Sequence, residues 1–263
     1  GMPRLEVEGA AYATIIAKTV EMLLLIGYAI KDRPEFISFS VFKRIDWALF
    51  GRILKKGSLL IISQMMWVLS ESFTAAIYNG RGNAAVVSGM AASFSIANLF
   101  FISFDGITTA TGVLIGKSLG RNELDYARKE KTWMLSAAVI FGSAMGLVGV
   151  VTVLLVPVVF GNLSMDAQNI CRAMLLMMAL FMPLWTYVNT QLAVCRAGGD
   201  TKVGFLVDGG TTAVMIPMLL ILAFFTNASP VMMYFGVKAL DVGKIIVATH
   251  EMKKERWVVN LSN

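Results

Sequence analysis

Residues 133–160 read WMLSAAVIFGSAMGLVGVVTVLLVPVVF, a run of 28 residues without a charged side chain. The hydrocarbon core of a bilayer is about 30 Å thick, and a helix of roughly 20 apolar residues crosses it. The whole chain of 263 residues is similarly apolar, since 57% of its residues are hydrophobic and only 15% are charged. Soluble domains carry charge on about a quarter of their residues. The sequence therefore predicts an all-α integral membrane protein.

Further apolar runs lie on both sides of this one, separated by clusters of charged residues. The turns between them carry Gly, Asn or Pro, as at residues 79–83 and 227–230. The first residues include acidic side chains and lack the cleavage pattern of a signal peptide, so the chain is expected to begin within a longer protein. Seven transmembrane helices are predicted, at Gly9–Ile30, Leu54–Tyr78, Ala84–Ile115, Trp133–Phe160, Ile170–Val194, Val203–Phe225 and Pro230–His250.

Basic residues are distributed unevenly between the two sides that these helices define. Loops rich in Lys and Arg remain on the cytoplasmic side of a membrane. If odd-numbered helices run toward the cytoplasm, only Arg4, Arg81 and Arg172 fall outside. The chain is therefore expected in the inner (plasma) membrane as a multi-pass protein with a cytoplasmic C-terminus. The 18 inner residues are Lys31, Arg33, Lys43, Arg44, Arg52, Lys55, Lys56, Lys117, Arg121, Arg128, Lys129, Lys131, Arg196, Lys202, Lys244, Lys253, Lys254 and Arg256.

The segment between the first two predicted helices mixes apolar and basic residues. Within it, residues 36–46 place Phe and Ile side chains beside Lys43 and Arg44, a pattern typical of a segment at the membrane surface. The predicted organisation is a single helix (1–30), a cytoplasmic amphipathic linker (31–53), a six-helix bundle (54–250) and a cytoplasmic tail (251–263).

Sequences at the helix ends resemble those of a known transporter family. Residues 8–14 (EGAAYAT) are similar to the start of that family's sixth helix, and residues 106–110 (GITTA) and 116–120 (GKSLG) to its eighth helix and the loop that follows. Residues 196–202 (RAGGDTK) resemble its junction between helices ten and eleven, and residues 256–261 (RWVVNL) a tail of bacterial members. In this order, these segments resemble the multidrug and toxic compound extrusion (MATE) transporters.

This resemblance implies both a fold and a function. Family members have two six-helix bundles, so this chain corresponds to their C-terminal half, helix six through helix twelve. They export cationic or amphipathic compounds in exchange for Na⁺ or H⁺ by alternating access to a cavity between the bundles. The implied partners are the lipid bilayer, small organic cations and the missing N-terminal helices of the same transporter. No nucleic acid is implied, and no cofactor beyond the coupling ion.

Ionisable side chains within the predicted helices are candidates for ion coupling, because a charge within a membrane is costly unless it is paired or hydrated. Glu71 and Gln64 lie two helical turns apart and so share one face of the second helix. The resemblance implies an acidic residue of a cation site near Gln64, which makes Glu71 a displaced equivalent. The alternative is that Glu71 faces a wet cavity without binding an ion.

Asp105 in the third helix is the second candidate. Ser103, Thr108 and Thr109 are close to it in sequence, and their hydroxyls predict an oxygen-rich shell for Na⁺ or a shared proton. No metal site other than a Na⁺ site at Glu71 or Asp105 is predicted.

Asp208 is the remaining coupling candidate, and it lies about five residues into the predicted sixth helix, near its start. Its alternative role is an ion pair with Arg196 or Lys202. The other carboxylates within the helices have basic residues one turn away, which favours internal pairing. These pairs are Lys18 with Glu21, and Asp241 with Lys238 and Lys244.

Aromatic and amide side chains of the helices are candidates for the substrate cavity, since aromatic faces attract organic cations. The alternative is that they face lipid or pack within the bundle. Glycines at helical spacing, in residues 112–120 and 142–146, favour close helix packing over a dimer interface. The cavity candidates are Trp67, Tyr78, Asn98, Trp185 and Asn189.

The cysteine and histidine content argues against an enzyme. Cys171 and Cys195 are separated by about 36 Å along one predicted helix, and His250 is the only histidine, so a catalytic triad or a His/Cys metal cluster cannot be assembled. Alternative functions are a retinal-type photoreceptor with Lys238 as the Schiff base and Asp105 as counterion, a lipid-linked precursor flippase of the same superfamily, and a fragment without activity of its own. The carboxylates within the helices favour cationic cargo over the flippase.

Overall fold

The computed structural model describes residues 6–32 and 46–260, and every regular element among them is a helix. This confirms the all-α fold. In chain order the helices are α1 (Glu6–Asp32), α2 (Trp47–Arg81), α3 (Ala84–Gly120), α4 (Leu124–Val159), α5 (Met165–Ala197), α6 (Thr201–Phe225), α7 (Pro230–Ala239) and α8 (Asp241–Lys253).

Six helices in the described part of the chain are long and apolar enough to cross a membrane. Helices α3 and α4 extend beyond the predicted apolar runs, into the charged residues on either side of Arg121. A helix keeps its backbone hydrogen bonds whether its surroundings are lipid or water, so hydropathy does not locate its ends. The six spans are Tyr12–Asp32, Gly57–Arg81, Ala84–Gly120, Leu124–Val159, Met165–Ala197 and Thr201–Phe225.

The chain divides into two compact units, residues 1–52 and 53–263. In the first unit, Lys18 Nζ lies 2.6 Å from Glu21 Oε2, which confirms the ion pair predicted within that helix. Helix α2 begins at Trp47, inside the segment predicted as a linker. The linker residues 33–45 lie outside the described residues.

Helix α5 is at the centre of the second unit and packs against α3, α4, α6, α7 and α8. It packs closely against α4, where a Cβ on Gly142 would lie 2.8 Å from Pro183 Cα and one on Gly146 would lie 2.7 Å from the Ala179 carbonyl oxygen. Glycine lets two membrane helices approach this closely. The predicted packing role is confirmed for this pair of glycines, whereas Gly112 faces open space.

The turn between α5 and α6 combines a glycine cap with a docked tail. Gly199 has a φ of 76°, the amide of Gly199 donates to the Arg196 carbonyl, and the amide of Asp200 donates to the Cys195 carbonyl. This is a Schellman motif, which favours glycine at its left-handed position. A Cβ on the preceding Gly198 would overlap the carbonyl oxygen of Trp257. The chain after α8 therefore lies directly on this turn.

The predicted seventh helix, Pro230–His250, is present, but it extends to Lys253 and is interrupted at Leu240. It is divided at Leu240 into α7 and α8, of 10 and 13 residues, each shorter than the roughly 20 residues that cross a membrane. The Leu240 amide donates to the Val237 carbonyl, and the Gly243 amide donates to the Leu240 carbonyl, three residues back in each case. The α-helical hydrogen-bond pattern is thus tightened into a 3₁₀-type turn. This turn lies between Lys238 and Asp241, and hydropathy does not reveal it.

Candidate ion-coupling site

The break between α7 and α8 lies at a cluster of charged side chains. Lys238, in the last turn of α7, places its Nζ 2.7 Å from Oε1 of Glu71 on α2. The Lys238 side chain is 14% exposed and that of Glu71 is 33% exposed. This ion pair joins two helices that are far apart in the sequence, and it lies within the apolar span of α2.

A second pair continues the cluster at the start of α8. Asp241 is buried, and its Oδ1 lies 3.0 Å from Lys244 Nζ. Its other oxygen, Oδ2, accepts a hydrogen bond of 2.8 Å from Trp185 Nε1 on α5. The predicted pairing of Asp241 with Lys244 is confirmed, whereas the ion pair of Lys238 is with Glu71. The two acidic and two basic groups together have no net charge.

Aromatic rings surround the Lys238 ammonium group. Its Nζ lies 5.5 Å from the ring centre of Tyr234 and 5.8 Å from that of Trp185. Phe181 stacks on Trp185, with ring centres 5.8 Å apart, and so holds that indole in place. Within about 6 Å, an aromatic face attracts a cation through its quadrupole. The lysine therefore combines a carboxylate partner with two aromatic faces.

A cavity of about 170 Å³ adjoins the Glu71 carboxylate. Phe94, Tyr78, Tyr234 and Met90 contribute to its wall. The Tyr78 side chain is 1% exposed, and its hydroxyl has no hydrogen-bond partner among the described residues. A buried hydroxyl without a partner is unfavourable, so this group is available to a ligand or a water molecule. The site thus offers an anionic group, aromatic surface and one free hydroxyl.

The structure brings together only part of the predicted set. Glu71, Tyr78 and Trp185 belong to this cluster, whereas the other predicted residues of α2, α3 and α5 are exposed on the surface of their helices. Asn98 and Asp105 are two helical turns apart and so share one exposed face of α3. The exposed residues are Gln64, Trp67, Asn98, Asp105 and Asn189.

The Asp208 carboxylate accepts a hydrogen bond from a serine hydroxyl. The partners predicted for it were the basic side chains of Arg196 and Lys202. Ser63 Oγ, buried on α2, donates a hydrogen bond of 2.7 Å to Asp208 Oδ2 on α6. Near Asp105, the Thr108 hydroxyl donates to the backbone carbonyls of Phe104 and Asp105, at 2.9 and 3.2 Å. The side chain of Ser103 lies outside the described residues.

Lys238 is the member of this cluster whose partner sequence reasoning missed. A lysine within an apolar helix is itself a signal, but the nearby Asp241 offered an obvious partner, and Glu71 is 167 residues away. A buried pair formed by Ser118 Oγ and Glu130 Oε2, 2.6 Å apart, was also missed because it joins α3 to α4. Pairs between helices require the packing of those helices, which one sequence does not supply.

The two predicted Na⁺ positions differ in what surrounds them. At Glu71, one carboxylate oxygen is already engaged by the Lys238 ammonium group. At Asp105, the Thr108 hydroxyl is committed to backbone carbonyls as a donor, which leaves its lone pairs free to accept or to bind a cation. Among the described residues, no three His, Cys, Asp or Glu side chains lie close enough to share a metal ion. The roles of both carboxylates in coupling stay predictions.

Apolar helices that enclose charged side chains define an integral membrane protein with an ionisable site inside its helix bundle. The MatE family model matches residues 60–221, which is more than half of the chain. The chain therefore belongs to the MatE family, and the resemblance found in the helix-end sequences is confirmed.

Curated relatives match over nearly all of this chain. It is 26% identical over 255 residues to the probable multidrug resistance protein NorM of Rhodopseudomonas palustris, which covers 94% of this chain and 53% of that protein. It is 24% identical over 237 residues to multidrug and toxin extrusion protein 1 of Homo sapiens, covering 89% of this chain and 41% of that protein. The chain thus spans about half the length of the relatives it matches. No solved structure matches the chain with significance.

Proposed function

We propose that this chain forms one helix bundle of a membrane exporter of cationic or amphipathic compounds, driven by Na⁺ or H⁺ through alternating access. Glu71 is the coupling carboxylate in this proposal. The observation that supports it is the position of Glu71 within the apolar span of α2, beside an aromatic-walled cavity and paired with Lys238.

The chemistry of the site favours a cation as ligand. A carboxylate supplies charge, the rings of Phe94 and Tyr234 supply aromatic faces, and Met90 supplies an adaptable thioether. The names of the relatives describe multidrug resistance and multidrug and toxin extrusion. Movement of a compound across the membrane involves no chemical change, so the proposed activity is not that of an enzyme.

In this proposal, the described helices are not sufficient for transport. The chain spans about half of each relative, and alternating access needs a second wall that moves against the first. The proposed partners are therefore the lipid bilayer, small organic cations and further helices of the same transporter. The proposed location is the plasma membrane, with the C-terminus in the cytoplasm because of the basic residues on that side.

Reconstituted transport tests this function. A protein that contains this chain and both bundles is placed in proteoliposomes, and movement of the fluorescent cation ethidium is followed while an opposing Na⁺ or H⁺ gradient is imposed. We expect dye movement that depends on one of the gradients and stops when an ionophore dissipates it. Folded protein that moves no dye under either gradient would contradict the proposal. The 263-residue chain alone serves as the control and is expected to move none.

A further inference from the structure

We propose that Lys238 is a tethered cation that occupies the Glu71 site, so that any other cation reaches Glu71 only by displacing the lysine ammonium group. The inference rests on the proposed function in one respect, since it takes the competing cation to be the transported or coupling ion. The contact between Lys238 and Glu71 is observed in the structure and does not depend on the proposed function.

The Lys238 ammonium group already makes the contacts that a bound cation would make. It lies 2.7 Å from the carboxylate of Glu71, with the rings of Tyr234 and Trp185 at 5.5 and 5.8 Å. A carboxylate with aromatic faces around it is how proteins bind ammonium ligands. The end of the lysine side chain is therefore equivalent to a ligand that is covalently attached.

The charge of the cluster opposes the addition of a second cation. Glu71 and Asp241 are balanced by Lys238 and Lys244, and the hydroxyls of Tyr78 and Tyr234 beside them are uncharged when protonated. A further positive charge would leave the partly buried cluster with a net charge, which is unfavourable where the surroundings are poorly polarisable. An incoming cation is accommodated if Lys238 leaves Glu71 as that cation arrives.

The structure provides both a place and a partner for such an exchange. Lys238 lies in the last turn of α7, immediately before the tightened turn at Leu240, and Asp241 is one turn further along the chain. The cavity of about 170 Å³ that Glu71 lines has room for a small cation. The Tyr78 hydroxyl at the wall of this cavity has no partner among the described residues.

Chemical rescue tests whether this is a cation site. Lys238→Ala removes the part of the side chain that corresponds to n-propylammonium. In the full chain, purified in detergent, we expect this variant to lower the thermal midpoint by roughly 5 °C, because the Glu71 carboxylate loses its partner. Added n-propylammonium should restore at least half of the loss in a saturable manner. The uncharged analogue n-propanol should restore little of it.

Two further variants control for unspecific effects. Lys202→Ala removes an exposed lysine and is expected to leave the midpoint unchanged and insensitive to n-propylammonium. The double variant Lys238→Ala with Glu71→Gln is expected to show no rescue, because the carboxylate that binds the added cation is gone. Rescue that persists in the double variant, or equal rescue by n-propanol, would overturn the proposal.

Competition for Glu71 provides a second test that does not depend on rescue by an added amine. If Lys238 occupies the site, the stabilisation by NaCl that depends on Glu71 should require at least tenfold more salt in wild type than in Lys238→Met, with Glu71→Gln measured at each concentration as the baseline. Equal salt dependence in wild type and Lys238→Met would refute the tethered cation. Both measurements report binding, so a failure of dye transport would count against the proposed function and leave this inference standing.

Discussion

Replacing Glu71 by Gln is expected to reduce ion-driven export of a cationic dye to the level of passive leak, in a transport-competent protein that contains this chain. Gln keeps the shape of the side chain and removes its charge, so the Lys238 ammonium group loses the carboxylate that lies 2.7 Å away. A hydrogen bond between charged groups contributes about 1.5–3 kcal/mol, which corresponds to roughly a ten- to hundredfold change in binding. We expect a loss of at least that size in transport rate.

Glu130→Gln is the matched control for this variant. Glu130 is also a carboxylate within a helix, although it is more buried than Glu71, and its Oε2 accepts a hydrogen bond from Ser118 that the Gln carbonyl can accept equally well. Export by Glu130→Gln is expected to stay within a fewfold of wild type, and both variants should insert into the membrane at normal levels. Near-normal export by Glu71→Gln with unchanged ion dependence would refute the assignment, and Asp105→Asn would then be the next variant to measure.

Trp257→Ala is expected to cause the largest loss of stability, about 3–5 kcal/mol in the free energy of unfolding. The Trp257 side chain is 1% exposed and its Nε1 donates to the Met252 carbonyl at 3.3 Å. Lys131 Nζ lies 5.9 Å from its ring centre, and its backbone lies on Gly198. Truncation would leave a cavity in the cluster of buried residues formed by Ile115, Leu119, Ala127, Leu135, Val188, Leu192, Val194, Cys195, Val203, Val207, Ala248, Met252 and Trp257.

The measurement is denaturant unfolding in detergent, followed by intrinsic fluorescence or circular dichroism. Trp133→Ala is the matched control, because Trp133 is 58% exposed on α4 and its removal is expected to change stability by less than about 1 kcal/mol. Limited proteolysis should also cut the chain after α8 faster in Trp257→Ala than in wild type. Equal stability of the two variants would show that the tail does not dock on the Gly198 turn as described.

Much of the helical architecture was predictable because a membrane imposes a length on each apolar run. All but the last residue of the run at residues 133–160 lies within α4, and the predicted spans near residues 84–115 and 203–225 lie within α3 and α6. The pairs Lys18–Glu21 and Asp241–Lys244 were predictable too, since residues three apart face each other on one helix. These features depend only on local sequence.

Features that depend on packing between helices were not predictable. The partner of Lys238 is Glu71, on another helix, and the partner of Asp208 is the hydroxyl of Ser63. The tightened turn at Leu240 was missed because hydropathy averaged over a whole span does not register a change of hydrogen-bond pattern at one residue. In each case, the interaction depends on which faces of the helices pack together. Hydropathy and residue spacing along a single helix do not contain that information.

A double-mutant cycle on Glu71 and Lys238 tests the central claim, that these two side chains form one functional pair across α2 and α7. The free energy of unfolding is measured in detergent for wild type, Glu71→Gln, Lys238→Met and the double variant. Residues in contact show a coupling energy of roughly 0.5–3 kcal/mol, whereas independent sites add within about 0.5 kcal/mol. The 2.7 Å ion pair predicts coupling within the first range, with the double variant less destabilised than the sum of the single ones. Additive effects would contradict the pair and the account of the site that depends on it.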